Sequence, residues 1–304
     1  MKNNYRPGNR TWRIVYPSLA YYGINILVTA VFMTFLMAHL MLERNTTDVN
    51  LIMDEWVRLA SQYNYEIAIL IAIVAMPVMI FFFMRDRKRE KVLGIYLKYD
   101  KVEPVYYLAA AFLGVSACIT VNHLLDISGL TGRYLEALEE MEVVLYQENL
   151  LIELIGVGLI VPAVEELVFR GLTMRRIAED VGSTVSIFMS ALLFACYHGN
   201  LLQGIYAFIL GVLMGYVYDR YKTLAAPIVL HAAANTMSIL VSETAILMPV
   251  YESDMLYMGA TMLAAVLTLF AIGIIQYRVE PECLTKLPED LPDGTENPDP
   301  DNIR

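Results

Sequence analysis

Long apolar runs alternate with short polar segments along the whole chain. A helix needs about 20 apolar residues to cross a bilayer, and eight runs reach or approach that length. Their approximate bounds are 15–42, 66–84, 105–125, 149–174, 183–198, 203–219, 224–241 and 257–277. Backbone polar groups in lipid must be satisfied within the segment, so such runs predict α-helices. The pattern therefore predicts an all-α fold, a polytopic membrane bundle of about eight transmembrane helices.

The amino-acid composition is typical of a membrane protein, and most of the net negative charge lies in the C-terminal tail. Hydrophobic residues make up 57% of the chain, above the roughly 45–50% typical of soluble domains. The formal net charge is −10, but residues 280–304 hold eight acidic residues against two basic ones and carry −6 of it. This Pro-, Asp- and Glu-rich tail is predicted to be disordered and solvated. The three cysteines form no metal-binding or disulfide pattern, and no nucleic-acid-binding footprint is present.

Basic residues predict the orientation of the bundle. They gather in five clusters, at 2–13, 85–91, 175–176, 220–222 and 278. These clusters fall on alternate loops between the eight spans, and the intervening loops are acidic or neutral. By the positive-inside rule the basic loops are cytoplasmic. We therefore predict a multi-pass protein of the cell membrane with both termini in the cytoplasm.

Two adjacent carboxylates interrupt the fourth span. Glu165 and Glu166 lie in an otherwise apolar run, where an acidic side chain costs roughly 2.5–3.5 kcal/mol on insertion scales, so they indicate a functional site. Glu166 and Arg170 are spaced i, i+4 on one helix face and are predicted to form an ion pair. Glu165 lies about 100° around the helix from Glu166 and has no such partner, which leaves it available for chemistry.

Two histidines lie within predicted spans near further polar residues. His198 follows Phe194 by one helical turn in the fifth span, and His231 precedes Asn235 by one turn in the seventh. A single buried histidine is more often structural, but several polar residues in hydrocarbon together favour a shared cavity. His39 and His123, each near the outer end of its span, are instead interpreted as interfacial side chains.

The three motifs, Glu165-Glu166-x-x-x-Arg170, Phe194-x-x-x-His198 and His231-x-x-x-Asn235, together resemble those of the CPBP intramembrane proteases. That family includes type II CAAX prenyl proteases and bacteriocin-processing or self-immunity proteins. The resemblance covers about residues 152–240 and extends to the Gly211–Gly215 run. It divides the chain into an N-terminal membrane region (1–145, with a connector helix near 134–145), a catalytic membrane core (146–245), a last span (246–278) and the acidic tail (279–304). The connector is predicted to lie along the outer interface or to be solvated.

The resemblance implies a membrane-embedded endopeptidase. Glu165 and His198 would activate a water, Glu166 and Arg170 would support them, and His231 with Asn235 would hold the oxyanion. One glutamate and two histidines (Glu165, His198, His231) also resemble a three-ligand Zn²⁺ site, and both the zinc and the metal-free mechanism stay open. The expected partners are a peptide or membrane-protein substrate and the lipid bilayer, with no nucleic acid and no prediction of oligomeric state.

Two other classes of function compete with the enzyme. The first is a catalytically silent scaffold that regulates another membrane protein, and the second is a transporter with a proton relay, against which the lack of an internal repeat counts. Counted along straight helices, His198 and His231 differ in depth by about 10 Å, so we predict a break near Tyr197–Asn200 inside the protein. Access to the site is expected from the cytoplasmic half.

Overall fold

The computed structural model describes residues 7–92, 102–131 and 150–279. Within these ranges the chain is helical with short turns and contains no strand, which confirms the predicted all-α bundle. The predicted connector helix near 134–145 and the acidic tail from residue 280 lie outside the described residues.

Twelve α-helices are described in these ranges. They are α1 (Pro7–Glu43), α2 (Met53–Gln62), α3 (Asn64–Val92), α4 (Pro104–Ile127), α5 (Leu150–Ile155), α6 (Val161–Glu166), α7 (Arg175–Val181), α8 (Ser183–Tyr197), α9 (Leu201–Tyr221), α10 (Ala225–Glu243), α11 (Met248–Tyr251) and α12 (Asp254–Arg278). Short 3₁₀ turns at Val49–Leu51 and Ala245–Leu247 precede α2 and α11.

Six of the eight predicted spans are single helices long and apolar enough to cross a membrane, namely α1, α3, α4, α9, α10 and α12. The predicted fifth span is α8, an apolar helix of 15 residues. At 1.5 Å per residue it is about 22 Å long, short of the roughly 30 Å hydrocarbon core. The predicted fourth span is the most irregular of the eight.

The fourth span belongs to a composite helix (residues 150–181). Helices α5, α6 and α7 are joined by two π-helical segments, Gly156–Ile160 and Leu167–Met174, and the backbone stays right-handed helical at each junction. Such π-helical insertions are rare and are frequent at functional sites. Every residue from Val164 to Glu179 is buried, so the composite helix forms the centre of the bundle.

Glycine allows α4 and α10 to approach closely. A Cβ atom added at Gly114 of α4 would lie 2.2 Å from the carbonyl oxygen of Leu230 in α10. Small residues at helix interfaces in membranes let the backbones pack in this way. The contact fixes α10 one residue before His231.

Charged residues from three of the predicted basic clusters meet at one end of the bundle. Arg175 donates to Glu90 (2.8 Å), Arg176 to Asp86 (2.7 Å), and Arg89 to Glu179 (2.9 Å). We call this ion-paired region the basic end; its members are Arg13, Asp86, Arg89, Glu90, Arg175, Arg176 and Glu179. The shared location agrees with the predicted alternation of basic loops. The paired side chains are, however, mostly buried in extended helix ends rather than in solvated loops.

Glu179 is the acidic centre of this network. Burial alone would raise the pKa of its carboxyl, but the hydrogen bonds and charges of Arg13 and Arg89 outweigh burial. The pKa of Glu179 is therefore below its ordinary value.

The interpretation of His123 as interfacial is wrong. Only 2% of His123 is exposed, its Nδ1 atom lies 2.8 Å from Thr261 Oγ1, and its ring stacks on Tyr257 at 4.3 Å between centroids. Because Thr261 and Tyr257 belong to α12, His123 links α4 to the last span. His39, by contrast, is exposed, and its Nε2 atom lies 3.8 Å from Glu43.

Candidate active site

Glu166 and Arg170 form the predicted ion pair in the centre of the protein. Arg170 Nη1 donates to Glu166 Oε1 at 2.7 Å, and both side chains are fully buried. The second guanidinium nitrogen donates to the carbonyl of Gly211 in α9 at 2.9 Å. A side chain at Gly211 would approach that guanidinium to 3.3 Å, which gives the glycine run of the sixth span a structural reason.

His231 bridges the two glutamates. Its Nδ1 atom lies 2.9 Å from Glu166 Oε1, and its Nε2 atom lies 3.8 Å from Glu165 Oε2. Since a carboxylate accepts and cannot donate, Nδ1 carries a proton in the first contact. The ion pair of Glu166 and Arg170 thereby orients the imidazole toward Glu165.

His198 reaches the same region from the end of α8. Its Nδ1 atom lies 2.8 Å from the carbonyl of Phe194, so the proton is on Nδ1 and the neutral ring offers Nε2 as an acceptor. The Phe194 ring lies 4.7 Å from the His198 ring and 5.6 Å from the His231 ring. The two histidines therefore converge, although straight-helix counting separated them.

The predicted helix break lies between α8 and α9. Helix α8 ends before His198, Gly199 follows with a positive φ of 67°, and Asn200 caps α9 by accepting from the backbone N–H of Leu202 at 2.9 Å. A left-handed backbone favours glycine because it has no Cβ. The turn places His198 at the wall of a cavity.

A cavity of about 640 Å³ connects the predicted site residues. Glu165, His198, His231 and Asn235 line it. Asn235 also donates from Nδ2 to the carbonyl of Val157 at 3.0 Å, in the first π-helical segment. Glu166 and Arg170 lie behind this wall and act on the cavity through His231 and Phe194, whose ring lies under the Arg170 guanidinium at 4.8 Å.

Three cavity residues were missed by sequence reasoning. Asn25 Nδ2 donates to the Tyr197 hydroxyl at 2.8 Å, and the Tyr21 ring stacks on the Tyr197 ring at 5.1 Å between centroids. Asn25 and Tyr21 belong to α1, which had been assigned to the region outside the motifs. An asparagine within an apolar span was the available signal.

The donor atoms have the chemistry of a zinc site but are not grouped as one. Across residues 7–92, 102–131 and 150–279, no three His, Cys, Asp or Glu side chains lie together in an arrangement that could hold a metal ion. The Zn²⁺ ligand set Glu165, His198 and His231 is therefore not assembled here, and no step below passes through a metal.

These features define a membrane bundle with a buried polar cavity that carries a carboxylate and two imidazoles, the groups of a hydrolase. Residues 147–237 match the model of a protein family, the type II CAAX prenyl endopeptidase Rce1-like family. The matched region contains all three motifs, so the match confirms the resemblance seen in them. At the level of the family, this region supports an intramembrane CAAX-type endopeptidase. Neither curated proteins nor solved structures gave a match.

Proposed function

We propose that the protein is an endopeptidase that hydrolyses a peptide bond in a small peptide, a leader or a membrane-associated protein by direct attack of water. The proposal depends above all on one observation. Glu165 Oε2 and His231 Nε2 lie 3.8 Å apart at the wall of a cavity that His198 also lines. A carboxylate and imidazoles that face one cavity have the chemistry needed to hold and deprotonate a water.

In the proposed mechanism Glu165 is the general base. It accepts a proton from the water as the water oxygen attacks the carbonyl carbon of the scissile bond. His198 Nε2 accepts a hydrogen bond from the same water and fixes its position. When the C–N bond breaks, Glu165 returns the proton to the leaving amine, so that a carboxylic acid and an amine are formed and the enzyme is regenerated.

The oxyanion needs donors within the cavity. In the proposal His231 carries both ring protons during the reaction, with Nδ1–H held by Glu166 and Nε2–H directed at the oxyanion. The second amide proton of Asn235, whose first proton binds Val157, is the other donor. Fixed donors of this kind stabilise charge as it develops and are worth about 2.7–4 kcal/mol each in other enzymes.

The test is cleavage of a peptide library by the detergent-purified protein, followed by mass spectrometry. We expect defined cleavage products with the wild type and none with Glu165→Ala, His198→Ala or His231→Ala. His39→Ala is the matched control, because His39 is exposed and its described contacts, Glu43 and the Phe35 ring, lie on its own helix. Cleavage that survives in all three site variants would overturn the proposal.

A catalytically silent scaffold is the alternative function. It would retain a binding partner when Glu165 is replaced and would yield no products with the wild type. The cleavage assay therefore separates the two functions directly.

A further inference from the structure

We propose that substrate reaches the site from the end of the bundle opposite the basic end, which the charge pattern places outside the cytoplasm. This rests on the proposed function and specifies its substrate: an unlipidated extracytoplasmic peptide or the extracytoplasmic segment of a membrane protein. The sequence analysis expected substrate to enter from the cytoplasmic half, and this proposal takes the place of that expectation.

The basic end is closed by packing. From Val164 to Glu179 every residue of the composite helix is buried, and this stretch covers the whole path from Glu165 to the ion pairs. That path is about 21 Å long at 1.5 Å per residue. Arg176 is 1% exposed and Arg175 is 5% exposed. A polypeptide could pass along this stretch only by separating these buried ion pairs.

The other end of the same cavity is open. Asn64, Gln203 and Ser242 line the cavity together with Glu165, and all three are exposed. We call these three residues the mouth. By contrast, Glu165 is 6% exposed and His231 is 5% exposed. Exposure thus decreases from the mouth to the candidate catalytic groups.

Each mouth residue lies at the helix end remote from the basic end. Asn64 begins α3, whose other end carries Asp86 and Glu90, and it lies about 33 Å from Asp86 along the helix. Gln203 is in the first turn of α9, and Ser242 is in the last turn of α10. The mouth and the basic end are therefore on opposite sides of the bundle.

The distribution of basic residues indicates which end of the bundle faces the cytoplasm. Residues 2–13, 85–91, 175–176 and 220–222 contain most of the basic residues, and their described members lie at or next to the basic end. Loops rich in Lys and Arg remain in the cytoplasm. The mouth consequently faces away from the cytoplasm.

The lining of the cavity indicates what enters it. Hydroxyl, phenol and amide side chains are interleaved with small and large apolar ones, and among the described lining residues there is no lysine or arginine. Neutral donors and acceptors suit the backbone of an extended peptide. A prenyl chain would leave these polar groups unpaired, and a free C-terminal carboxylate would find no lysine or arginine among the described lining residues to bind it. We therefore assign an internal peptide segment, without lipid, as the occupant.

The orientation is tested by cysteine labelling in intact cells. In a chain with Cys118, Cys196 and Cys283 replaced, Ser242→Cys and Gln203→Cys probe the mouth, and Lys88→Cys, an exposed position among the basic-end residues of α3, is the matched control. A membrane-impermeant maleimide is expected to label both mouth positions in intact cells and Lys88→Cys only after permeabilisation. The reverse pattern would overturn the inference.

The entrance is tested by blocking it. A bulky maleimide on Ser242→Cys is expected to lower peptide cleavage at least tenfold relative to an unlabelled sample of the same variant, whereas the same label on Lys88→Cys leaves cleavage unchanged. If the labelled mouth variant cleaves peptide at an unchanged rate, the proposed entrance is wrong, whereas the proposed endopeptidase function still holds. If no unlabelled protein cleaves any peptide, the proposed function fails and the entrance falls with it. The labelling pattern still decides on which side the mouth lies.

Discussion

Replacement of Glu166 tests how the buried ion pair supports the site. Glu166→Ala removes the oxygen that binds both Arg170 Nη1 at 2.7 Å and His231 Nδ1 at 2.9 Å. Arg170 remains fully buried, keeps its contacts with the Gly211 carbonyl and the face of the Phe194 ring, and loses its directly paired carboxylate, with Glu165 left as the more distant negative charge. An uncompensated cation then lies at the centre of the bundle.

The magnitude follows from the burial of both partners. Removing one member of a buried ion pair costs about 3–5 kcal/mol, since the remaining charge is stranded. At about 2–4 °C per kcal/mol, the melting temperature should fall by roughly 6–20 °C. Removing both charges with Glu166→Leu and Arg170→Met together should cost less than either single change, because no charge remains uncompensated.

The assay is thermal unfolding of the purified variants in one detergent. Glu166→Leu, Arg170→Met and the variant with both changes form a double-mutant cycle. The structure predicts a coupling free energy of about 2 kcal/mol or more between Glu166 and Arg170. A Glu166→Ala protein that melts within 2 °C of the wild type, or a double variant less stable than both singles, would refute the reasoning.

Three further changes test other parts of the structure. Gly114→Ala places a Cβ atom against the Leu230 carbonyl and should displace His231, which we expect to lower peptide cleavage at least tenfold while Gly259→Ala, where the space is open, changes nothing. Asn25→Leu removes the hydrogen bond that holds the Tyr197 hydroxyl and should lower kcat about tenfold without loss of expression; unchanged kinetics would show that α1 is not part of the site. The folded-state pKa of Glu179 is below its ordinary value of 4.5. Ionised Glu179 therefore stabilises the folded protein at any pH above 4.5, and this stabilisation is lost as the pH falls through the folded-state pKa. Melting temperatures should therefore drop below about pH 4.5, and this drop should be smaller in Glu179→Gln than in the wild type.

A fourth test concerns zinc, which the three ligand types had indicated. Because Glu165, His198 and His231 are not grouped as a metal site, we expect cleavage to persist within twofold in a chelator. Loss of activity that is restored by Zn²⁺ alone would contradict the metal-free mechanism. The zinc content of the purified protein is a second readout that does not depend on activity.

Local patterns predicted the helices and the ion pair, because both depend on neighbours along the chain. Apolar runs identified six helices long enough to cross a membrane, and the i, i+4 spacing identified the contact of Glu166 with Arg170. The contact of His231 with Glu166 joins residues 65 positions apart and could be expected only from the resemblance of the motifs.

Contacts between distant helices could not be derived from the sequence. Asn25 and Tyr197 are separated by 172 positions, and nothing in the spacing of either helix reveals that they meet. His123 was misplaced for the same reason, since its partner Thr261 lies on the last span. The basic clusters predicted that these residues share one end of the bundle, but the loop assignment treated Arg175 and Arg176 as solvated although both are buried in ion pairs.

The depth of His198 depended on tertiary packing. Counting residues along straight helices ignores how the helices pack, and in the structure the His198 and His231 rings both contact the Phe194 ring. The sequence predicted a shared cavity with access from the cytoplasmic half, whereas the exposed lining residues lie at the end opposite the basic end. That feature emerged only from the exposure of Asn64, Gln203 and Ser242 along one wall.

The most direct test of the central claim is the rate at which the purified protein hydrolyses one cleavable peptide, compared between the wild type and Glu165→Gln. The glutamine has nearly the same shape but cannot accept the proton of the attacking water. The account predicts a fall in kcat of about 10²–10⁴-fold with an unchanged melting temperature. Cleavage by Glu165→Gln at a rate within tenfold of the wild type would contradict it.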